Sequence, residues 1–296
     1  MTAKSQSTLL SGGKRLHLNH GPIDLIIEAS GKAEEVELAY KAVDSEFKTL
    51  LSGLVAELTA LRRPVRSSSG DIFTQVGLRM QEATLPFSSN FITPMAAVAG
   101  SVADHMLNCL CKQSFLKSAY VNNGGDIALH LSEGEHFKIG LIEQPINARV
   151  AGTITISKKD KIGGIATSGW NGRSHSLGIA DSVTVLAHSA AIADAAATMI
   201  ANAVDLPGSP AVRRKPANEL SPDSDLGDRL VTVGVNSLSP SDARTAIEQG
   251  YFLAQTYQRK GLIKAAWLSL QGLVKVTGPQ HLLTANKEPS IEKRLN

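Results

Sequence analysis

Several residue types are scarce in this chain of 296 amino acids, and each scarcity excludes a class of protein. Aromatic residues make up only 4% of the sequence, so the core must consist mostly of aliphatic side chains and alanine. The two cysteines, Cys109 and Cys111, are too close in sequence for an ordinary structural disulfide, and no second pair exists to complete a zinc site. We therefore interpret both residues as buried thiols on a helix.

An excess of positive charge is also missing, because 30 basic residues are offset by 27 acidic ones to leave a net charge of +3. A dedicated nucleic-acid-binding protein would carry a clustered basic face, so we expect no nucleic-acid partner. Arg213, Arg214 and Lys215 form the clearest basic cluster, and they lie in a proline-rich stretch. We interpret this cluster as part of a solvated loop rather than as a phosphate clamp.

Long apolar segments are absent as well. No stretch approaches the roughly 18 uninterrupted apolar residues that indicate a transmembrane helix. Residues 1–18 also contain no apolar run of signal-peptide length. We therefore expect a protein of the cytoplasm that has no membrane partner. Apolar residues still make up 43% of the chain, which is enough for a substantial core.

The apolar residues follow two periodicities. Spacings of three and four residues predict helices from Glu34 to about Arg62, Thr93 to Leu110, Ser189 to Val204 and Ser239 to Gly261. Short apolar runs between turn residues predict strands over 23–30, 118–121, 127–131, 137–142, 153–157, 182–187, 229–235 and 263–270. We interpret the four runs between 118 and 157 as an antiparallel meander, and 263–270 as the final strand.

Helices and strands do not alternate regularly along the chain. This favours an α+β fold, with antiparallel sheets packed by helices, over a doubly wound parallel sheet. The expected organisation is a disordered tail over 1–14, a single domain over 15–283 and a polar tail over 284–296. Four prolines make the segment 205–228 a predicted mobile loop within that domain.

Asp194 and Thr198 are the first candidates for chemistry. They are four residues apart in the alanine-rich helix, so their side chains lie on one face. A carboxylate in so apolar a helix loses solvation unless a cation or a hydrogen-bond network compensates for it, and Mg²⁺ prefers oxygen ligands of this kind. The alternative is that Asp194 lies near the helix start and simply interacts favourably with the helix dipole.

Three further segments combine polar residues in a way that suits a nucleotide. Residues 163–169 (GGIATSG) offer hydroxyls and backbone N–H groups that can hold phosphate, although a plain glycine-rich turn has the same pattern. Residues 121–126 (VNNGGD) equally form an ordinary hairpin signal. Residues 173–176 (RSHS) contain His175, which either acts as a base near neutral pH or lies on the surface. Neither a P-loop nor a serine-hydrolase motif is present.

The order of these segments is more specific than any one of them. Four stretches follow one another along the chain: AYVNNGGDIAL, FKIGLIEQP, GGIATSGWNGRSH and DSVTVLAHSAAIADAAATMIANAV. In that order, over about residues 93–204, they resemble the motifs of the FAD:protein FMN transferases of the ApbE superfamily. The whole chain is most similar to an uncharacterised cytoplasmic family of ApbE-like proteins of the UPF type. The resemblance implies an ApbE-like fold.

The resemblance also implies roles for individual residues. Asp194 and Thr198 would bind Mg²⁺ together with a backbone carbonyl from the region Ala97–Gly100. His175 matches the family histidine that is thought to assist proton transfer from a threonine of an acceptor protein. FAD or another nucleotide would lie near two motifs that supply Asn123, Gly124, Gly125, Asp126, Thr167, Ser168 and Gly169.

Two departures from the family pattern keep the function open. Ala99 stands where the transferases have a lysine, and the connection from His175 to the strand at 182 is shortened. Three hypotheses remain. The chain is a Mg²⁺-dependent transferase that uses a flavin or another nucleotide, an enzyme for another small metabolite on the same scaffold, or a non-catalytic binding protein that has lost flavin transfer.

Overall fold

A computed structural model describes residues 4–10, 12–65, 70–112, 114–142, 150–172 and 174–285 of the chain. Its helices are α1 (Ala33–Ala56), α2 (Leu58–Leu61), α3 (Gln75–Thr84), α4 (Val98–Cys111), α5 (Ala190–Ala203), α6 (Ala217–Leu220) and α7 (Pro240–Arg259). Its strands are β1 (Gln6–Leu9), β2 (Arg15–His20), β3 (Ile23–Gly31), β4 (Leu116–Asn123), β5 (Asp126–Leu131), β6 (His136–Ile142), β7 (Val150–Ser157), β8 (Gly164–Ser168), β9 (Ser182–Ala187), β10 (Val212–Pro216), β11 (Leu230–Val235), β12 (Ala265–Leu270), β13 (Leu273–Thr277) and β14 (Leu283–Ala285).

Nine strands form one large sheet in the order β1-β2-β3-β4-β5-β8-β9-β12-β13, and all neighbours are antiparallel. A second sheet contains β14, β7 and β6, and a two-stranded ribbon contains β10 and β11. The predicted α+β class, with antiparallel sheets packed by helices, is confirmed.

Strands β9 and β12 of the large sheet are buried on both faces, and β9 illustrates why. Its side chains alternate, so Val183 and Val185 join a core with α5 and α7, whereas Leu186 joins a core on the opposite face. Further along the sheet, α1 and α4 pack on β2, β3 and β4 around Phe47 and Met106. Among the described residues, no helix is both long enough and apolar enough to span a membrane.

The small sheet covers the face of the large sheet that the helices leave open. Ile154 and Ile156 of β7 pack with Leu186 and with Trp267 of β12. Each such aliphatic side chain contributes about 1.5–3 kcal/mol when it is fully buried. Around β9 and β12, the large sheet therefore lies between a layer of helices and a second sheet, and both of its faces are apolar there.

The predicted meander is wrong in its connectivity. β4 and β5 form a hairpin, and so do β6 and β7, but β6 and β7 leave the large sheet and β5 pairs with β8 instead. Turn residues report only that the chain reverses locally. The sheet that a hairpin joins depends on tertiary contacts, which local sequence does not specify.

Three segments are more regular than we expected. β1 lies within residues 1–14, which we expected to be disordered, and pairs with β2. The proline-rich segment 205–228 contains β10 and α6, so it is not a plain loop, although its mobility stays a prediction. β13 and β14 follow the strand that we expected to be the last. Residues 286–296 of the predicted polar tail lie outside the described residues.

Both cysteines lie on α4, as predicted, but they are half-buried rather than fully buried. Burial raises the pKa of the Cys111 thiol to about 11. Burial, followed by the negative charge of Glu46, also raises the pKa of Cys109. Since the thiolate is the reactive form of cysteine, neither residue is a good nucleophile near neutral pH.

Candidate functional site

The start of α5 is held by side chains from two segments. Ser189 caps the helix by accepting a hydrogen bond from the Ile192 N–H at 3.3 Å. Asp104 of α4 accepts from the N–H groups of Ala190 and Ala191, at 3.0 and 2.9 Å. The first N–H groups of a helix have no partner inside it, so Asp104 satisfies two donors that would otherwise be buried without an acceptor.

Two glycines let neighbouring backbone approach the same helix start. A Cβ atom at Gly100 would lie 2.3 Å from the Ala190 carbonyl oxygen, and one at Gly164 would lie 2.0 Å from the Ala190 nitrogen. Both distances are far shorter than van der Waals contact allows. Gly100 of α4 and Gly164 of β8 therefore make room for backbone from α5 at this point.

Asp104→Ala is expected to destabilise the protein by about 2–4 kcal/mol, because it leaves two buried N–H groups without an acceptor. Urea unfolding of the two proteins measures the difference. Asp104→Asn keeps one acceptor oxygen and should lose less stability. Equal losses in the two variants would show that Asp104 does not act through these hydrogen bonds.

The residues of α5 that are only half-buried are Asp194, Thr198, Asn202 and Ala203. The first three are spaced by four residues, so they form one stripe along the helix. The remaining residues of α5 are buried, most of them alanines. The structure therefore places the predicted pair on the one face of α5 that is not sealed inside the core.

Asp194 contacts the start of α4. The Gly100 N–H donates to Asp194 Oδ2 at 3.0 Å. One residue earlier, the Ala99 carbonyl accepts a hydrogen bond from Asn123 Nδ2 at 3.1 Å. The region Ala97–Gly100 thus joins Asp194 to the end of β4 through one backbone N–H and one backbone carbonyl.

Asp126 brings a second carboxylate to the same place. It follows Asn123 after the two-residue turn Gly124-Gly125, whose positive φ angles of 66° and 114° favour glycine. The Thr167 N–H of β8 donates to Asp126 Oδ1 at 3.2 Å. Asp126 therefore lies where the β4–β5 hairpin meets the end of β8.

The two carboxyl groups perturb each other. Burial raises the pKa of Asp126 to about 7, against the opposing effect of the Thr167 N–H. Burial, and then the negative charge of Asp126, raise the pKa of Asp194 well above its usual value, although the N–H groups of Gly100 and Ala99 oppose this. Two acids so placed are costly to ionise together unless a cation lies between or beside them.

The His175 loop reaches the far end of the stripe. Ser176 Oγ and the Leu177 N–H donate to Asn202 Oδ1 at 3.2 and 2.9 Å. Asn202 lies about one turn beyond Thr198 and about two turns beyond Asp194, so the loop is attached at the Thr198 end of the predicted metal pair. The His175 side chain itself is exposed. Arg173, which belonged to the same predicted segment, lies outside the described residues.

The glycines of the GGIATSG segment have a structural role. A Cβ atom at Gly163 would lie 2.3 Å from the His188 carbonyl oxygen, and one at Gly169 would lie 2.4 Å from that of Asp181. Both residues allow close contact between backbones. The part of this segment that can face a ligand is the end of β8, where Thr167 is exposed and Ser168 is half-buried.

Two residues of the site, Asp104 and Asn202, were assigned no role by the sequence. Asn202 had a signal, because it continues the four-residue spacing of Asp194 and Thr198. Asp104 had none of this kind. Its partner Ala190 is 86 residues away, and a helical aspartate gives no sign of which helix it caps.

The described residues contain no cluster of three or more His, Cys, Asp or Glu side chains arranged to hold a metal ion. A cation at Asp194 would therefore need oxygens from a hydroxyl, the backbone or a ligand in addition to the carboxylates. A cavity of about 590 Å³ lies between α1, α3 and α4, and none of the predicted site residues lines it. The candidate site lies elsewhere, where α5 is approached by the start of α4, the β4–β5 hairpin and the end of β8.

Comparisons with known proteins confirm the resemblance to ApbE-like proteins. A family model described as AbpE bacteria matches residues 7–276. A UPF0280 protein of Methanopyrus kandleri is 35% identical over 185 residues, which cover 60% of this chain and 69% of that protein. A UPF0280 protein of Methanococcus vannielii is 45% identical over 116 residues, which cover 38% of this chain and only 45% of that protein.

Solved structures give a more distant likeness. A mutant of the flavin transferase ApbE from Vibrio cholerae is 14% identical, with a TM-score of 0.48, and the match covers 91% of this chain and 98% of that one. The apo form of the Pseudomonas stutzeri flavinyl transferase ApbE is also 14% identical, with a TM-score of 0.45 and coverage of 94% and 96%.

Proposed function

The chain belongs to the AbpE bacteria family, and from this premise we propose that it is a Mg²⁺-dependent transferase that binds FAD or a related nucleotide. One observation carries the proposal. Asp194, on the half-buried stripe of α5, accepts a hydrogen bond from the Gly100 backbone and is acted on by the negative charge of Asp126, so groups from three separate segments converge there. An arrangement that only supported the fold would not need two carboxyl groups whose charges oppose each other.

The residues present fit a magnesium ion. Mg²⁺ takes oxygen ligands, usually one or two carboxylates together with water and substrate phosphate. Asp194 and Asp126 supply the carboxylates, and Thr198 supplies a hydroxyl one turn along the helix. A bound cation would also offset the repulsion between the carboxylates of Asp194 and Asp126. The two negative charges, which repel each other in the metal-free protein, would therefore favour binding of the cation.

Each segment has a task in this proposal. Asp194, Asp126 and Thr198 would hold the metal ion, which would supply charge neutralisation at the phosphate oxygens. With FAD, the acceptor oxygen would bond to the phosphorus on the flavin side while the pyrophosphate P–O bond breaks and AMP leaves. The end of β8, at Thr167 and Ser168, contacts the nucleotide, and so does the hairpin turn before Asp126. His175 takes a proton from the hydroxyl of the acceptor. Its exposure suits an acceptor that is itself a protein.

Titration of the purified protein with FAD, FMN and ATP, with and without Mg²⁺, tests the proposal. We expect flavin binding that Mg²⁺ strengthens by about 100-fold, since carboxylate–metal–phosphate contacts are worth several kcal/mol. Asp194→Ala should remove this Mg²⁺ dependence, whereas Asp223→Ala, an exposed aspartate on the proline-rich segment, should not. Absence of nucleotide binding, or Mg²⁺-dependent binding that survives in Asp194→Ala, refutes the proposal.

A binding protein without transferase activity is the second candidate, and Ala99 favours it. No basic side chain stands at this position, where the resembling transferases carry a lysine. The same titration separates the two candidates when a turnover assay is added. Tight Mg²⁺-dependent binding without transfer to any protein acceptor supports the second candidate, and transfer that depends on His175 supports the first.

A further inference from the structure

The backbone that follows His175 is held from two sides. On one side, Asn202 of α5 accepts hydrogen bonds from the Ser176 hydroxyl and the Leu177 N–H. On the other side, Thr232 of β11 donates through its N–H to the Ser176 carbonyl at 2.9 Å and through Oγ1 to the Gly178 carbonyl at 2.8 Å. The loop therefore lies between the end of α5 and the β10–β11 ribbon.

Arg214 of β10 completes this arrangement. Its guanidinium donates to the Leu177 carbonyl and also forms an ion pair with Asp205, just beyond α5. Only 17% of the Arg214 side chain and 20% of the Asp205 side chain are exposed. Our interpretation of residues 213–215 as a solvated loop is thus wrong for Arg214, while its neighbour Lys215 is exposed on the same strand.

The contacts of Arg214 link the loop directly to α5. Asp205 is the second residue after α5, and Leu177 is the second residue after His175. Gly178 lies so close to the end of the same helix that a Cβ atom there would be 2.1 Å from the Ala201 carbonyl oxygen. The position of His175 relative to the stripe of α5 is therefore set by a short chain of contacts in which one arginine joins helix, loop and ribbon.

We infer that Arg214 is a positioning residue, which holds the His175 loop against the end of α5 so that His175 can act at the site. This inference rests on the proposed function for the role of His175, but its structural part is independent of it. A planar guanidinium can donate to a carboxylate and a carbonyl at once in fixed directions, whereas an ammonium group provides no such fixed fork. Arg214→Lys should therefore keep the charge and lose the geometry.

Hydrogen exchange of the loop amides tests the structural part. In Arg214→Ala we expect the Leu177 and Gly178 amide hydrogens to exchange at least about tenfold faster than in the wild-type protein. The reason is that the loop opens locally when the contact with the Leu177 carbonyl is lost. Lys215→Ala is the matched control, since it removes a neighbouring basic residue that is exposed, and it should leave the rates unchanged. If Arg214→Ala is too unstable to study, Arg214→Lys takes its place, with the same direction of change.

A kinetic measurement tests the functional part. In Arg214→Ala or Arg214→Lys we expect the rate of transfer to fall about tenfold or more while nucleotide affinity stays within about twofold, because only His175 is displaced. Loop exchange equal to that of Lys215→Ala overturns the inference. So does unchanged transfer in a variant whose loop exchanges faster. If the wild-type protein transfers no flavin, the proposed function fails, and the exchange rates alone decide whether Arg214 positions the loop.

Discussion

Asp194→Asn is expected to make the metal-free protein melt at a higher temperature at pH 8, by roughly 2–6 °C, and to abolish any further increase caused by Mg²⁺. The variant removes a buried charge that lies beside Asp126, and its amide oxygen can still accept from the Gly100 N–H. Thermal unfolding in EDTA and in excess Mg²⁺ measures both effects.

The pH dependence has a definite sign. The pKa of Asp126 in the folded protein is about 7, above its usual 3.8, and the pKa of Asp194 is shifted in the same direction. The folded protein therefore holds these protons more tightly than the unfolded chain does. The resulting stabilisation is complete below about pH 4 and is lost as the pH rises to about 7 and above. Mg²⁺ should restore stability only on the alkaline side of this range.

Asp223→Asn provides the control, because Asp223 is an exposed acid on the proline-rich segment and its removal changes the net charge equally. It should follow the wild-type curve at every pH and respond to Mg²⁺ as the wild type does. A wild-type protein whose melting temperature is the same with and without Mg²⁺ at pH 8 would count against a cation at the two carboxylates. Destabilisation of Asp194→Asn in EDTA would show that the charge of Asp194 is needed for folding.

Gly164→Ala is expected to destabilise the protein by about 3–5 kcal/mol, enough to prevent accumulation of folded protein. The added Cβ would lie 2.0 Å from the Ala190 nitrogen and 2.3 Å from its Cα, and both atoms belong to a backbone that cannot rotate away. The start of α5 would have to move, which would break the hydrogen bonds to Asp104. Soluble yield and urea unfolding measure the loss.

Gly70→Ala is the matched control, because a Cβ at Gly70 would meet nothing within 4 Å. It should change stability by less than about 0.5 kcal/mol. Gly100→Ala brings a Cβ within 2.3 Å of the Ala190 carbonyl oxygen and should behave like Gly164→Ala. A well-folded Gly164→Ala protein with unchanged stability would mean that α5 does not pack against β8 as closely as described.

Much of the fold could be predicted from local sequence. β9 has the predicted bounds of 182–187, and α5 differs from the prediction by one residue at each end, because a uniform apolar run and a Ser189 cap are both local signals. The break between α1 and α2 was not predicted. The cause is tertiary, since the buried carboxylate of Glu57 accepts from the Phe73 and Thr74 N–H groups at the start of α3. That helix was also missed.

The candidate site could also be predicted only in part from local sequence. The stripe of Asp194 and Thr198 follows from a spacing of four residues, and the order of motifs pointed to Asp126 and the Ala97–Gly100 region. The charge interaction between Asp126 and Asp194 could not be predicted, because it depends on how β5 pairs with β8. The contact of Arg214 with the His175 loop was equally inaccessible, since it joins residues 37 positions apart.

The small sheet is a detour of the chain, which leaves β5 and returns at the neighbouring position of the large sheet. The Leu129 N–H of β5 donates to the Gly163 carbonyl at 2.9 Å. The two ends of the segment that forms β6 and β7 are therefore already joined by a hydrogen bond that does not involve the small sheet. Topologically, a related chain could lose residues 132–162 and keep the same strand order. The loss would nevertheless be unfavourable for solvation, because the apolar side chains of Leu186 and Trp267 would then face water. A relative with a shorter segment here must carry polar residues on that face of the large sheet or cover the face with another molecule.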